Sequence, residues 1–180
     1  LSLRDLNLSD DLEALLDAGI TSFKIEGRLK DKSYVMNVVA YYRQKLDALL
    51  QKRGWQAAAS GRIHCDFTPN PNKTFNRGYT SYFLQGRKGA MGSPDTPKST
   101  GELLGRVTKI GRQSFQMDGS AILVSGDGLC YYNAQRELQG MAVQRVEGRD
   151  IFPAHLEQLT PGTLIYRNHD HAFLAQLDRS

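Results

Sequence analysis

The spacing of apolar positions changes along the chain, and the change divides it. Over residues 8–18, Leu8, Leu12, Leu15 and Leu16 recur at helical spacing, with Ser9 suited to the N-cap, Asp10 and Asp11 to the first turn, and Gly19 just past the end. Residues 21–26 alternate instead. Phe23 and Ile25 fall on one face and Lys24 and Glu26 on the other, which predicts a strand. Val35, Val38, Val39, Tyr42, Leu46, Leu49 and Leu50 then step by three and four, predicting an amphipathic helix over 33–52 that closes at Gly54. Both apolar stripes need a sheet to pack on, and one short strand is not a sheet. Residues 1–56 therefore read as the carboxyl-terminal strand and helices of a βα (TIM-like) barrel, cut from a longer protein.

From Ala57 onward the pattern becomes short β-type runs separated by glycine. The predicted strands are Arg62 to Phe67, Glu102 to Ile110, Ser114 to Met117, Ala121 to Val124, Gly128 to Tyr132, Met141 to Val146 and Thr163 to Arg167. Gly111, Asp118-Gly119, Gly126-Asp127-Gly128, Gly140 and Pro161-Gly162 mark the turns. Strands this short and regular predict a small antiparallel β-barrel over 101–180. Residues 57–100 read as a linker, with loops at Thr68 to Asn76 and Gly86 to Lys98. The fold class is thus α+β with β dominant.

In α/β architectures the chemistry sits at the carboxyl ends of the strands, here Glu26-Gly27-Arg28. Lys24, Glu26 and Arg28 are the candidate catalytic residues, forming the rim of an active site. The alternative is a solvated Lys24–Glu26 pair on an edge strand.

Composition narrows the chemistry. The net charge of +4 favours acidic partners, nucleic acid above all. No apolar run approaches the length of a membrane span and no leader pattern is present, so the chain reads as soluble and cytoplasmic. Cys65 and Cys130 are far apart and belong to no CxxC or Cys/His set, so no metal site is expected from them. His64, His155, His169 and His171 lie in no protease motif, and HExxH is absent. His169 and His171 flank Asp170 and would share a strand face, an arrangement open to a metal or to plain surface. The leucine and valine stripes of residues 8–50 predict either a homodimer or packing of these helices back on the β-barrel.

Several runs are more specific. Gly105-Arg106-Val107, Leu123-Val124 leading into Gly126-Asp127-Gly128-Leu129, the strand from Gly140 to Val146, and Leu159 to Arg167 resemble the β-barrel that forms the second domain of translation GTPases. Ser22 to Lys30 followed by Ser33-Tyr34-Val35, the preceding Leu3-Arg4-Asp5-Leu6, and Lys73 to Phe83 resemble the collagenase-like peptidase family U32. The similarity spans nearly the whole chain and is closest to the branch that hydroxylates a cytidine of large-subunit ribosomal RNA. A sister branch hydroxylates tRNA uridine.

The resemblance implies an RNA-modifying enzyme, with Lys24, Glu26 and Arg28 lining its catalytic mouth and this part inert alone. It also implies an iron–sulfur cluster in the full-length protein, held mainly by cysteines outside this segment, and no cofactor within it. Arg77, Tyr79, Arg87 and Lys88, with Tyr82 beside them, mix cations and aromatics as looped or single-stranded RNA requires, and are the candidate RNA-binding residues. The rival readings are a peptidase, as the family label says, and a peptide-binding or otherwise non-catalytic binding module.

Overall fold

A computed structural model describes residues 2–56, 64–86, 91–95, 97–156 and 159–180. The first part is short strands around two helices. Strand β1 (Ser2–Leu3) is followed by β2 (Asp5–Leu6), helix α1 (Leu12–Asp17) and the long helix α2 (Lys32–Lys52). A single 3₁₀ turn, Pro71–Lys73, leads into β3 (Tyr79–Thr80), which pairs in parallel with β2, and β4 (Gly92–Ser93) pairs antiparallel with β1.

Helix α1 is shorter than the periodicity predicts. The side chain of Asn7 accepts the Ser9 N–H at 3.0 Å and the Asp11 N–H returns to the Leu8 carbonyl, so residues 7–11 turn before the helix starts. Its far end agrees with the sequence: Gly19 N–H meets the Leu16 carbonyl and Ile20 N–H the Leu15 carbonyl, a Schellman closure. Helix α2 ends the same way, through Gly54 on Gln51 and Trp55 on Leu50, and starts where Asp31 accepts the Tyr34 N–H at 2.7 Å.

The strand expected over 21–26 is not formed, and residues 20–27 belong to no regular element. A strand exists only where a neighbour takes its N–H and C=O groups, and no described strand of this chain pairs with this segment. The TIM-like sheet expected around it is likewise not assembled from this chain's described strands. Residues 64–67 are not a strand either, while the remainder of the 62–67 prediction lies outside the described residues.

The barrel is formed as predicted. Strands β5 (Glu102–Ile110), β6 (Phe115–Met117), β7 (Gly128–Tyr132), β8 (Leu138–Glu147), β9 (Asp150–Pro153) and β10 (Leu164–His169) close in the order β10-β5-β6-β9-β8-β7, all pairs antiparallel. Their inward residues, among them Val107, Phe115, Leu129, Val143, Ile151 and Ile165, make one buried cluster. Sequence reading missed β9, a short run ending in proline that pairs with β8 across a tight turn at Gly148-Arg149. It also expected a strand at 121–124. There, side chains take the backbone groups instead: Asp127 accepts the Val124 N–H and Arg167 donates to the Ile122 carbonyl.

The chain ends in α3 (His171–Arg179), where a strand through His169-Asp170-His171 was expected. Asp170 stops that strand by accepting the Phe173 N–H at 3.0 Å as a helix N-cap. Phe173 and Leu177 of α3 meet Met36 and Ala40 of α2, with Phe67 and Cys65 between, in a second buried cluster. Helix α2 thus packs on the helix that follows the barrel through Met36 and Ala40, which lie outside the predicted stripe. Ile20, Ile25, Leu29, Val35 and Val39 remain exposed.

Candidate functional site

The loop that precedes α2 carries the three candidate catalytic residues, and all three are exposed. Lys24 Nζ lies 3.3 Å from Glu26, with side chains 85% and 67% accessible, so within this chain the two form a solvated pair. Arg28 follows at the turn that leads to α2. Lys30 behaves differently. Its ammonium lies 3.4 Å from the centre of the Phe75 ring and 5.5 Å from that of Tyr34, so it folds back onto the segment that bears the RNA-binding candidates.

That segment is fixed from below by buried amides. Asn37 sits fully buried in the middle of α2; its side-chain nitrogen donates to the Asn70 carbonyl at 2.7 Å and to the Thr74 hydroxyl at 3.0 Å, and its oxygen accepts the Asn70 N–H at 2.8 Å. Asn76, also buried, donates to the carbonyls of Asn72 and Thr74 and takes its own N–H to the Ser99 hydroxyl. Buried amides this well satisfied set one conformation, because any other leaves donors unpaired. Sequence reading missed Asn37; the available signal was an asparagine inside the apolar stripe between Met36 and Val38.

The RNA-binding candidates in the segment have internal partners. Arg77 grips Asp5 through Nε and Nη2, at 3.3 and 2.7 Å, adds its backbone N–H to the same carboxylate, and donates Nη1 to the Ser2 hydroxyl. The Tyr79 hydroxyl donates to the Pro71 carbonyl at 2.9 Å, and burial raises its pKa above the ordinary tyrosine range. The Tyr82 hydroxyl donates to the Arg4 carbonyl. Arg87 and Lys88 lie outside the described residues. The structure thus brings Arg77 and Tyr79 together with β2 and the 3₁₀ turn, and leaves Lys24, Glu26 and Arg28 on a separate exposed loop.

A charged network ties this segment to the barrel. Lys73 Nζ lies 2.5 Å from Asp170, and Asp170 lies 3.0 Å from Arg167. Arg167 also reaches Glu102 at 2.8 Å and the fully buried Asp127 at 3.4 Å. Arg167 shares the inward face of β10 with Ile165, so strand alternation would have marked it as an inward charge. A cleft of about 510 Å³ opens beside the network, lined by Lys73, Glu102, Ile122, Arg167, Asp170 and Phe173.

The cysteines and histidines gather no chemistry here. Among the described residues no three His, Cys, Asp or Glu side chains converge as metal ligands would. Cys130 is buried in β7 on the face away from the barrel core, its thiol 3.5 Å from the Thr100 carbonyl, and burial pushes that thiol up to about 12, the opposite of the thiolate that an iron–sulfur ligand must be. Cys130 as it stands therefore does not fit a ligand of such a cluster. Cys65 is half-buried beside exposed His64 at the rim of a cleft of about 530 Å³. His169 and His171 are exposed, their rings 6.4 Å apart. Among the described residues no helix is long and apolar enough to cross a membrane.

The charge is unevenly spread. Residues 1–100 carry 15 Lys and Arg against 10 Asp and Glu, whereas residues 101–180 carry 8 against 9. The positive excess thus belongs to the α2 part and its loops, and the barrel is close to neutral.

Comparison with known proteins agrees with this division. The model of peptidase family U32 matches residues 1–93, the part that holds the exposed loop and the amide-fixed segment. The 23S rRNA 5-hydroxycytidine C2501 synthase of Escherichia coli (strain K12) is 40% identical over 190 aligned positions, covering 100% of this chain and 29% of that protein. Two tRNA hydroxylation proteins of Bacillus subtilis (strain 168) also match: P2 is 43% identical over 53 residues, 29% of this chain and 17% of that protein, and P1 is 30% identical over 110 residues, 59% and 25%. The chain thus spans less than a third of each of these relatives.

Proposed function

The chain belongs to peptidase family U32, and from that membership we propose that it is the carboxyl-terminal part of an enzyme that hydroxylates a cytidine of large-subunit ribosomal RNA. The observation that carries the reading is the 40% identity to the Escherichia coli cytidine hydroxylase along the whole chain, barrel included. The tRNA relatives match a smaller share of this chain, 29% and 59%.

In this reading the labour is divided among the parts. Lys24, Glu26 and Arg28 present two cations and a carboxylate from one exposed loop, chemistry that can hydrogen-bond a polar substrate at a barrel mouth. Arg77 and Tyr79 shape the neighbouring segment by fixing its backbone, and Arg87 and Lys88, which follow it in sequence, add positive charge. The barrel, tied to this segment by Lys73 and Asp170, holds it in register. The peptidase alternative gains no support from the cysteine buried in the barrel wall.

The test is mass spectrometry of ribosomal RNA from cells whose gene is deleted and then complemented. We expect 5-hydroxycytidine to vanish on deletion and return with the wild-type gene. Glu26→Gln and Arg28→Ala should each leave it absent, with the melting temperature of the purified full-length variant unchanged. Unaltered hydroxycytidine in the deletion strain would overturn the reading.

A further inference from the structure

The RNA-binding candidates chosen from sequence turn out to be partly occupied, but a cation that was not among them has no carboxylate at ion-pair distance among the described residues. Lys30 is placed by its backbone. Leu29 adopts a left-handed conformation at φ 59° and stands 95% accessible, which reverses the chain. The Lys30 N–H closes the turn on the Gly27 carbonyl at 3.0 Å, and Asp31 caps α2 immediately after. The turn points the Lys30 side chain inward over Phe75, whose ring also lies 5.7 Å from the Arg77 guanidinium.

Two cations therefore share one aromatic ring, and the neutralising charge is unequally divided between them. Asp5 is taken by Arg77 in a two-point contact, whereas among the described residues no carboxylate comes within ion-pair distance of Lys30. Burial, and then the neighbouring Arg77, hold the Lys30 ammonium below the ordinary lysine range, with Asp5 and Asp31 opposing. Arg77 has five N–H donors and spends three on Asp5 and Ser2, leaving two. Exposed Arg28 and Lys32 flank the turn on either side. This is an ammonium seated on an aromatic ring, with no carboxylate at ion-pair distance among the described residues, beside a guanidinium with donors to spare.

Resting on the RNA reading above, we propose that Lys30, seated on Phe75 beside Arg77, binds a backbone phosphate of the RNA substrate. A phosphate there would supply the missing counterion, meet the free Arg77 donors, and place the strand next to the exposed Glu26 loop. The contact is a positioning one. It fixes the register of the RNA and reads no base.

The experiment measures binding of an oligoribonucleotide carrying the target cytidine to the full-length protein across a salt series. Lys30→Met, which keeps the apolar stem over Phe75, should weaken binding about tenfold and lower the log–log salt slope by about 0.7. Lys30→Arg should restore both. Lys109→Met, the same charge change on the near-neutral barrel, should alter neither. A Lys30→Met slope and affinity equal to wild type, in a protein that binds RNA, overturns the phosphate site and leaves the RNA reading standing. No RNA binding by the wild type overturns both. A measurement free of folding effects is mild acetylation of the wild type: RNA should protect Lys30 and not Lys109, and equal labelling of Lys30 with and without RNA overturns the site. Equal protection of Lys30 by poly-glutamate overturns its assignment to RNA.

Discussion

Lys73 and Asp170 stand 97 positions apart in sequence and 2.5 Å apart in space, joining the family-specific segment to the cap of the last helix. Asp170 is 5% and Lys73 24% accessible, so the pair is sheltered from solvent screening in a way the surface pairs of α1 and α2 are not. We expect a double-mutant cycle of Lys73→Met and Asp170→Asn to give a coupling of roughly 1–2 kcal/mol by denaturant unfolding. Additive effects within a few tenths would show that segment and barrel are held by other contacts.

Acid should loosen the same junction. Burial raises the Asp170 pKa, but the hydrogen bonds from Lys73 and the Phe173 N–H, with the Arg167 charge, outweigh it and hold the group below its ordinary 3.8. A carboxylate lowered in the folded state contributes stability that is complete above its unfolded pKa and is lost as pH falls through the folded value. Stability from this group should therefore be flat above about pH 5 and decline below about pH 4. Asp170→Asn, followed by thermal melts across pH, should flatten that decline.

Arg167 is the most costly charge to remove. Without it the carboxylate of Asp127, which is fully buried, keeps among the described residues the Val124 and His171 N–H groups. Arg167→Met should destabilise by about 3–5 kcal/mol, because breaking a buried pair leaves an uncompensated charge. Adding Asp127→Asn should recover part of the loss, and calorimetry of the three variants checks it.

The two thiols should differ sharply in reactivity. Cys130 is buried with its thiol pushed up to about 12, while Cys65 is half-buried at a cleft rim. Iodoacetamide at neutral pH should label Cys65 in the native protein and Cys130 only after denaturation, as read by peptide mass spectrometry. Native labelling of Cys130 would mean that the segment at Thr100 lifts from β7 on the labelling timescale.

Gly101, at the entry to β5, should tolerate no side chain. Its φ is +74°, and a Cβ there would lie 2.0 Å from the Arg167 carbonyl oxygen, so backbone must move. Gly101→Ala should lower the melting temperature markedly, whereas Gly148→Ala, also at positive φ but with nothing within 4 Å, should cost only about 1 kcal/mol.

Much was legible in the chain because the signals were local. The α2 stripe, the glycine stops at Gly19 and Gly54, and the barrel strands are written in periodicity and turn residues, which act over a few positions. The family resemblance was legible for a related reason, since it rests on contiguous runs such as Lys73 to Phe83. Residues 20–27 show the limit. Their alternation is a true strand signal, but a strand is a relation between segments, and within this chain the neighbour is not supplied.

Tertiary structure decided which polar residues are internal. Sequence alone made Arg77 and Tyr79 as available to RNA as any other cation and aromatic, and marked Lys30 only as one charge among several. Folding spends Arg77 on Asp5 and Tyr79 on Pro71, each more than five residues away, and among the described residues leaves Lys30 with no carboxylate at ion-pair distance. A side chain's hydrogen-bond capacity is fixed by its chemistry and can be read from sequence. Which partner uses it depends on distances between remote segments, and those exist only once the chain has folded.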